Sequence, residues 1–392
     1  MRKWFIIIPL ILITCSNQRR EKTIEFWQFW TDPEVKPVIE SITGQFEREN
    51  SGWKVNITDL TWADGHQKIM VAFGADNPPD LLELGSDWIA EFAAAGALSV
   101  IEIDTTNMLL VEPAIFKGKI YARPWFLASR WFYLNKTLLD KANERVPHTW
   151  PELLEVCRKI DSLGDDIAGF GANSAEPHRL YKKFLPFVWS CGGDIVKDGK
   201  ISLDTPEVLR ALKFYGELAR CGQVETQRHL EDSFCKGKIG IIFTGGWFLK
   251  RLEKNPPSFK YLLIPMIPEN DSVSGISFSG GEYLVIPRKS KNKKAARMLM
   301  DYISKRENIT ALIKTVGFGL PPYRLKQLPD KQTEHNVPYN QLYHSRSTPV
   351  HPRWIYIEKV IENMVEQVTL GQMAPAEAIK KAQSKIDETL KD

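Results

Sequence analysis

Residues 77–98 read NPPDLLELGSDWIAEFAAAGAL: a short apolar run, a polar break, then a small apolar helix. Asp80–Leu84 reads as a strand, bounded by Pro78-Pro79 on one side and Gly85 on the other. Ser86 or Asp87 is then expected to cap the helix, which turns Ile89, Phe92 and Ala93 inward and stops at Gly96. A strand entering a helix through a tight polar turn is the local unit of an open α/β sheet. The turn lies at the carboxyl end of the strand, where the helix has free N–H donors and such sheets hold ligands.

The pattern extends through the chain. TIEFWQFW (23–30) reads as a strand, and PEVKPVIESITGQFEREN (33–50) places Val35, Val38, Ile39, Ile42 and Phe46 at helical spacing. WKVNITDL and DGHQKIMVAFGAD continue as strand and helix, and KIGIIFTGGWFLKRLE (238–253) repeats the strand, Gly-containing turn and helix of 77–98. Thr149 and Glu152 form an expected capping box, and Thr205 precedes Pro206 as a helix start. Alternation of this kind predicts α/β layers. The pattern restarts near Pro124, Ser279 and Pro321-Pro322, as it would if the chain crossed three times between two discontinuous lobes. A proline inside GKIYARPWF (118–126) places that strand at an edge or a crossing. GISFSGGEYLVIP reads as strand, Gly pair, strand.

The first residues, MRKWFIIIPLILITC, are a basic start followed by an apolar run too short to span a bilayer, which takes about 20 residues. They read as a secretory signal over 1–14. Leu12-Ile13-Thr14-Cys15 resembles a bacterial lipobox with Thr where Gly, Ala or Ser is usual, so Cys15 is the expected lipidation site and 15–22 a polar tether. Cys157, Cys191, Cys221 and Cys235 could pair in an exported protein or remain as buried thiols, and no two have metal-site spacing.

At 392 residues the chain holds two ordinary domains, and 43% hydrophobic with 26% charged residues excludes disorder and an integral membrane protein. A net charge of +4 argues against a nucleic-acid partner. No phosphate loop, dinucleotide fingerprint, HExxH or Gly-x-Ser-x-Gly occurs, and His335, His344 and His351 do not have helical metal spacing. No cofactor or metal is expected. The chain has 12 Trp. Most aromatics fill cores, and Trp27, Trp53, Trp88, Trp131, Trp150 and Trp354 are assigned there; those in polar turns are the exceptions of interest.

Five segments in order, NPPDLLELGSDWIAEFAAAGAL, GKIYARPWFLASRWFYLNKTLLDKA, HTWPELLEVCRKI, GKIGIIFTGGWFLKRL and SGGEYLVIPRKSKNKKAARMLMDYIS, resemble family 1 bacterial extracellular solute-binding proteins, the sugar-capturing components of ABC importers. The resemblance implies a two-lobed type II periplasmic-binding-protein fold with a three-segment hinge. It divides the chain into 23–124 with 279–322 and 125–278 with 323–392. It also implies a carbohydrate ligand enclosed between the lobes, delivery to permease subunits driven by a separate ATPase, a monomer, and no enzymatic activity. Sugars present a hydroxyl rim and apolar C–H faces, so their sites combine planar polar groups with aromatic walls. The expected ligand-binding residues are Trp30, Trp62, Asp64, Ser86, Asp87, Arg130, Trp189, Trp247, Gly281, Glu282 and Arg346. A glycerol phosphodiester gripped by Arg130 and Arg346, a secreted glycoside hydrolase, and a surface sensor are the alternatives.

Overall fold

The structure is a computed structural model and describes residues 22–197, 199–324 and 336–391. Residues 1–14, expected to be a signal, together with Cys15 and His335, lie outside these residues. The chain opens with β1 (Lys22–Gln28), α1 (Lys36–Glu49), β2 (Trp53–Asp59), α2 (Gly65–Gly74), β3 (Leu81–Gly85) and α3 (Ile89–Ala94). A small hairpin, β4 (Ile115–Phe116) and β5 (Lys119–Ile120), leads into the long strand β6 (Ala122–Asn135). Next come α4 (Lys136–Lys141), α5 (Trp150–Asp161), β7 (Ala168–Asn173) and α6 (Tyr181–Ser190), and a second hairpin, β8 (Val196–Lys197) and β9 (Lys200–Ile201). Then follow α7 (Pro206–Arg220), β10 (Gly222–Glu225), α8 (Gln227–Cys235), β11 (Ile239–Gly245), α9 (Gly246–Lys254) and β12 (Tyr261–Ile264). The last part comprises β13 (Ser277–Val285), α10 (Lys293–Ile303), α11 (Arg306–Val316), α12 (Val337–Tyr343), β14 (Ser345–Arg346), α13 (Trp354–Thr369) and α14 (Pro375–Leu390). Among the described residues no helix is long and apolar enough to cross a membrane.

One path of hydrogen-bonded strands runs β10-β7-β11-β6-β13-β3-β1-β2, with β12 on β6 and β14 on β13. Burial divides it in two. In one lobe, Phe26, Leu81 and Leu284 face a core under α1, α10 and α11, while Leu82, Leu84, Tyr283 and Val285 face a second core with Trp88 and Phe92. In the other, Phe132, Leu134, Ile241 and Phe243 pack against α5, α6, α7 and α13, and Trp131, Tyr133 and Ile242 pack against α8 and α9. Successive strand residues point to opposite faces, so each half-sheet is covered by helices on both sides.

The strand expected around Pro124 does not end there but runs on through Arg130. Residues 122–129 of β6 pair with β13, and residues 130–135 pair with β11 or β12, so β6 serves both lobes. In its first half β6 borders the sheet, meeting on its outer side only Leu320 among the described residues, and this tolerates Pro124. A register shift at Glu282/Tyr283 lies opposite Pro124 and Phe126, where the proline cannot donate. β13 also runs unbroken through Gly280-Gly281, not as two strands. A Cβ on Gly281 would lie 2.1 Å from the Phe126 carbonyl oxygen, so glycine is what lets the backbones approach.

The helix starts agree with expectation only in part. Thr205 accepts from Val208 N as expected. Thr149 makes no side-chain cap; Glu152 reaches the backbone N–H of His148 instead. Neither Ser86 nor Asp87 caps α3, whose N-cap position is Trp88. Cys157, Cys191, Cys221 and Cys235 are all free.

Candidate functional site

The carboxyl ends of β1, β2 and β3 carry aromatic rings to the gap between the lobes. Trp62, just past β2, is 44% exposed and stacks on Phe29 with centroids 4.2 Å apart and planes 20° from parallel. Trp88 supports the pair at 5.5 Å from Trp62. Trp30 lies two residues past β1, edge-on to Phe126 at 4.7 Å, and its buried indole N–H has no partner among the described residues. From the other lobe comes Trp247, in the first turn of α9, donating its indole N–H to Glu231 at 2.9 Å. Gly245 makes this possible, since a Cβ there would lie 2.1 Å from the Trp247 ring. Phe29, Trp30, Trp62, Trp247 and Phe318 line a cavity of about 440 Å³, with Lys250, Arg251 and Lys254 of α9 along its second-lobe side.

Where β6 and β13 pass between the lobes, charge accumulates beside these rings. The Arg130 guanidinium lies between Phe278 at 4.7 Å and Trp247 at 5.3 Å, and its Nε has no acceptor among the described residues. Burial lowers its pKa to about 10. Lys183 is buried beneath, donating to the Phe243 carbonyl at 2.7 Å, and burial followed by repulsion from Arg130 pulls its pKa well down. Burial raises the Glu282 carboxyl to about 8, so it is largely neutral at pH 7, and its Oε2 has no partner among the described residues. Glu83 is pushed well above the usual range by burial and then by Glu282, while accepting from Phe29 N at 2.9 Å. The region thus has buried donors and acceptors left open beside flat apolar faces.

Asp87 is committed elsewhere. It accepts from Lys182 Nζ at 3.0 Å and Tyr181 Oη at 3.3 Å, both on α6 of the opposite lobe. Burial alone would raise its pKa, but Lys182 and then His178 outweigh this and lower it. His178 lies next to α6 and bonds Glu358 of α13 through Nδ1. Its pKa is lowered by burial but raised more by Glu358 and Asp87, for a net rise. A second bridge joins Glu34 of the first lobe to Lys250 at 3.3 Å and Lys254 at 3.0 Å.

The remaining expected residues scatter. Asp64 is paired with Lys68 at 2.8 Å and Thr61 at 2.6 Å within its own turn. Ser86 is buried, its N–H bonded to the Gly281 carbonyl at 3.0 Å. Trp189 is 3% exposed and lies parallel to Phe278, in the second lobe's core and off the cavity wall. Arg346 covers its ring at 6.0 Å and is held by Asp194 at 3.0 Å. Arg130 and Arg346 therefore do not converge on one anion; Phe278 and Trp189 intervene. Phe29, Phe318, Lys182, Lys183, Lys250 and Lys254 were missed. Only Lys250 and Lys254 left a legible sign, lying three and seven residues after Trp247 on one helix face.

A family model described as bacterial extracellular solute-binding protein matches residues 31–309. The diacetylchitobiose binding protein DasA of Streptomyces coelicolor is 26% identical over 86% of this chain and 83% of its own length. The putative ABC transporter periplasmic-binding protein YcjN of Escherichia coli is 21% identical over 100% of this chain and 99% of its own. Among solved structures, an ABC transporter solute binding protein of Thermotoga lettingae bound with α-D-tagatose superposes with a TM-score of 0.79 at 26% identity, covering 94% of this chain and 99% of that one.

Proposed function

The chain belongs to the bacterial extracellular solute-binding protein family, and we propose that it captures a sugar or short oligosaccharide between its lobes and delivers it to the permease of an ABC importer. The observation that carries this reading is the pairing of indole faces across one gap. Trp62 and Trp30 come from one lobe and Trp247 from the other, around about 440 Å³ of space. Sugar C–H faces stack on such rings, while hydroxyls can bond the half-buried Arg130 and Glu282 side chains near them. A neutral Glu282 carboxyl both donates and accepts, as a hydroxyl rim requires. The family and the relatives compared are binding proteins, and the chain is proposed to act without catalysis.

The core clusters support moving two hinge crossings from the sequence expectation. The three crossings then lie at Ser129–Arg130, Phe278–Ser279 (as expected near Ser279) and Ser345–Arg346, because Ala128 and Leu127 pack in the first lobe whereas Trp131 and Phe132 pack in the second. A guest touching both sides stabilises the closed arrangement in proportion to its preference for that state. Anchoring through Cys15, export and a monomeric state complete the proposal.

A thermal-shift screen over mono- and oligosaccharides, polyols and glycerol phosphodiesters tests the ligand class. A ligand that binds only the folded chain raises its melting temperature, by about 2.7 kcal/mol of added stability at 100 times Kd. Neutral sugars should give the shifts, confirmed by calorimetry. Shifts confined to phosphodiesters, or release of sugar products on incubation, would replace this reading.

A further inference from the structure

Asp87, His178 and Glu358 meet where α6 faces the turn between β3 and α3. One donor atom from each lies within 4.8 Å of the others. Asp87 and Glu358 are buried, and His178 is partly so. The Glu358 carboxylate engages His178 through Oε1, while Oε2 is buried with no partner among the described residues. A buried carboxylate with one oxygen unused, beside an imidazole and a second carboxylate, matches the donor set of a metal centre.

We propose that Asp87, His178 and Glu358 form a divalent-cation site of the zinc type that spans the two lobes. One nitrogen and two carboxylate donors suit Zn2+ with water in a fourth place, whereas Mg2+ and Ca2+ take oxygen shells. Sequence spacing does not show this grouping, because Glu358 follows His178 by 180 residues. Lys182, at 3.0 Å from Asp87, is the competitor. Its ammonium occupies the carboxylate the cation would take, and its flexible stem lets it swing away. Metal and lysine thus exclude each other at Asp87. Asp87 belongs to one lobe and the other two ligands to the opposite one, so the cation holds the lobes together. The site stands independently of the sugar reading, because its test needs no sugar.

The test is calorimetric titration of EDTA-stripped, dialysed protein with ZnCl2, and with MgCl2 as control. One-to-one saturable Zn2+ binding without Mg2+ binding is expected. It should weaken at least 10-fold in His178→Asn and Glu358→Gln and tighten in Lys182→Met. His178 has φ of 65°, a region asparagine tolerates, so His178→Asn keeps the turn, which a melting curve checks. Absence of Zn2+ binding in the wild type, binding unchanged in His178→Asn, or weaker binding in Lys182→Met overturns the proposal.

Discussion

At the scale of single residues, exposure separates rings with a free face from rings that pack. Trp62 leaves one face open, whereas Trp189 has Phe278 beside it and Arg346 over it. Trp62→Ala should therefore fold with a melting temperature near wild type and lose about 10-fold in sugar affinity, close to 1.4 kcal/mol. Titration calorimetry reads this, and unchanged affinity would remove Trp62 from the site. Glu282 makes a pH prediction. Its pKa is 4.5 when unfolded and about 8 in the fold, so between these values the folded chain holds a proton the unfolded chain has released. Its contribution is complete below pH 4.5 and is lost as pH rises through about 8. Urea unfolding at pH 5 and pH 8.5 should show a stability loss that is smaller in Glu282→Gln. Equal losses would assign the dependence to other groups. Neither environment was legible in the sequence, since a Trp or Glu looks alike there whether its neighbours cover it or not.

At the scale of elements, glycines and carboxylates set the geometry. Gly245 ends β11 so that Trp247 can fold back over the backbone, with 2.1 Å to a hypothetical Cβ. Gly245→Ala should turn the indole away, break its bond to Glu231 and weaken sugar binding more than 10-fold, visible as an altered tryptophan emission and in calorimetry. Helix α13 carries Glu358, Glu362 and Glu366 on one face, and all three hold the segment before α6. Glu362 accepts from Arg179 N at 2.9 Å and Tyr181 N at 3.5 Å, and Glu366 from Ala175 N at 3.0 Å. Glu362→Ala leaves those N–H groups unpaired and should cost about 1–3 kcal/mol in urea unfolding. Ile357, Ile361, Met364, Val365 and Val368 of α13 recur at helical spacing, yet the same period misleads about its acids. Their spacing suits a solvated stripe, and only the packing of a distant segment buries them.

At the scale of the whole molecule, two ion-pair bridges among the described residues cross the gap between the lobes, Asp87 with Lys182 and Glu34 with Lys250 and Lys254. The second is exposed and individually weak, so the double variant Lys250→Ala, Lys254→Ala should raise the open fraction without unfolding either lobe. Small-angle scattering should give it a larger radius of gyration than wild type, returning to the same value with saturating sugar. An unchanged radius would show that these pairs do not bias the lobes. Most strands and helices and the α/β layering were readable from sequence, because periodicity and turn chemistry are local, whereas the two lobes and the cleft between them were implied by the family resemblance. NPPDLLELGSDWIAEFAAAGAL alone fixes a strand, a turn and a helix. Tertiary structure alone decided that β6 is one strand shared by both lobes, that Asp87 reaches Lys182 and does not cap α3, and that Trp189 is covered while Trp62 is open. Burial and charge pairing depend on residues far apart in the chain, and local sequence carries no record of which distant side chain arrives.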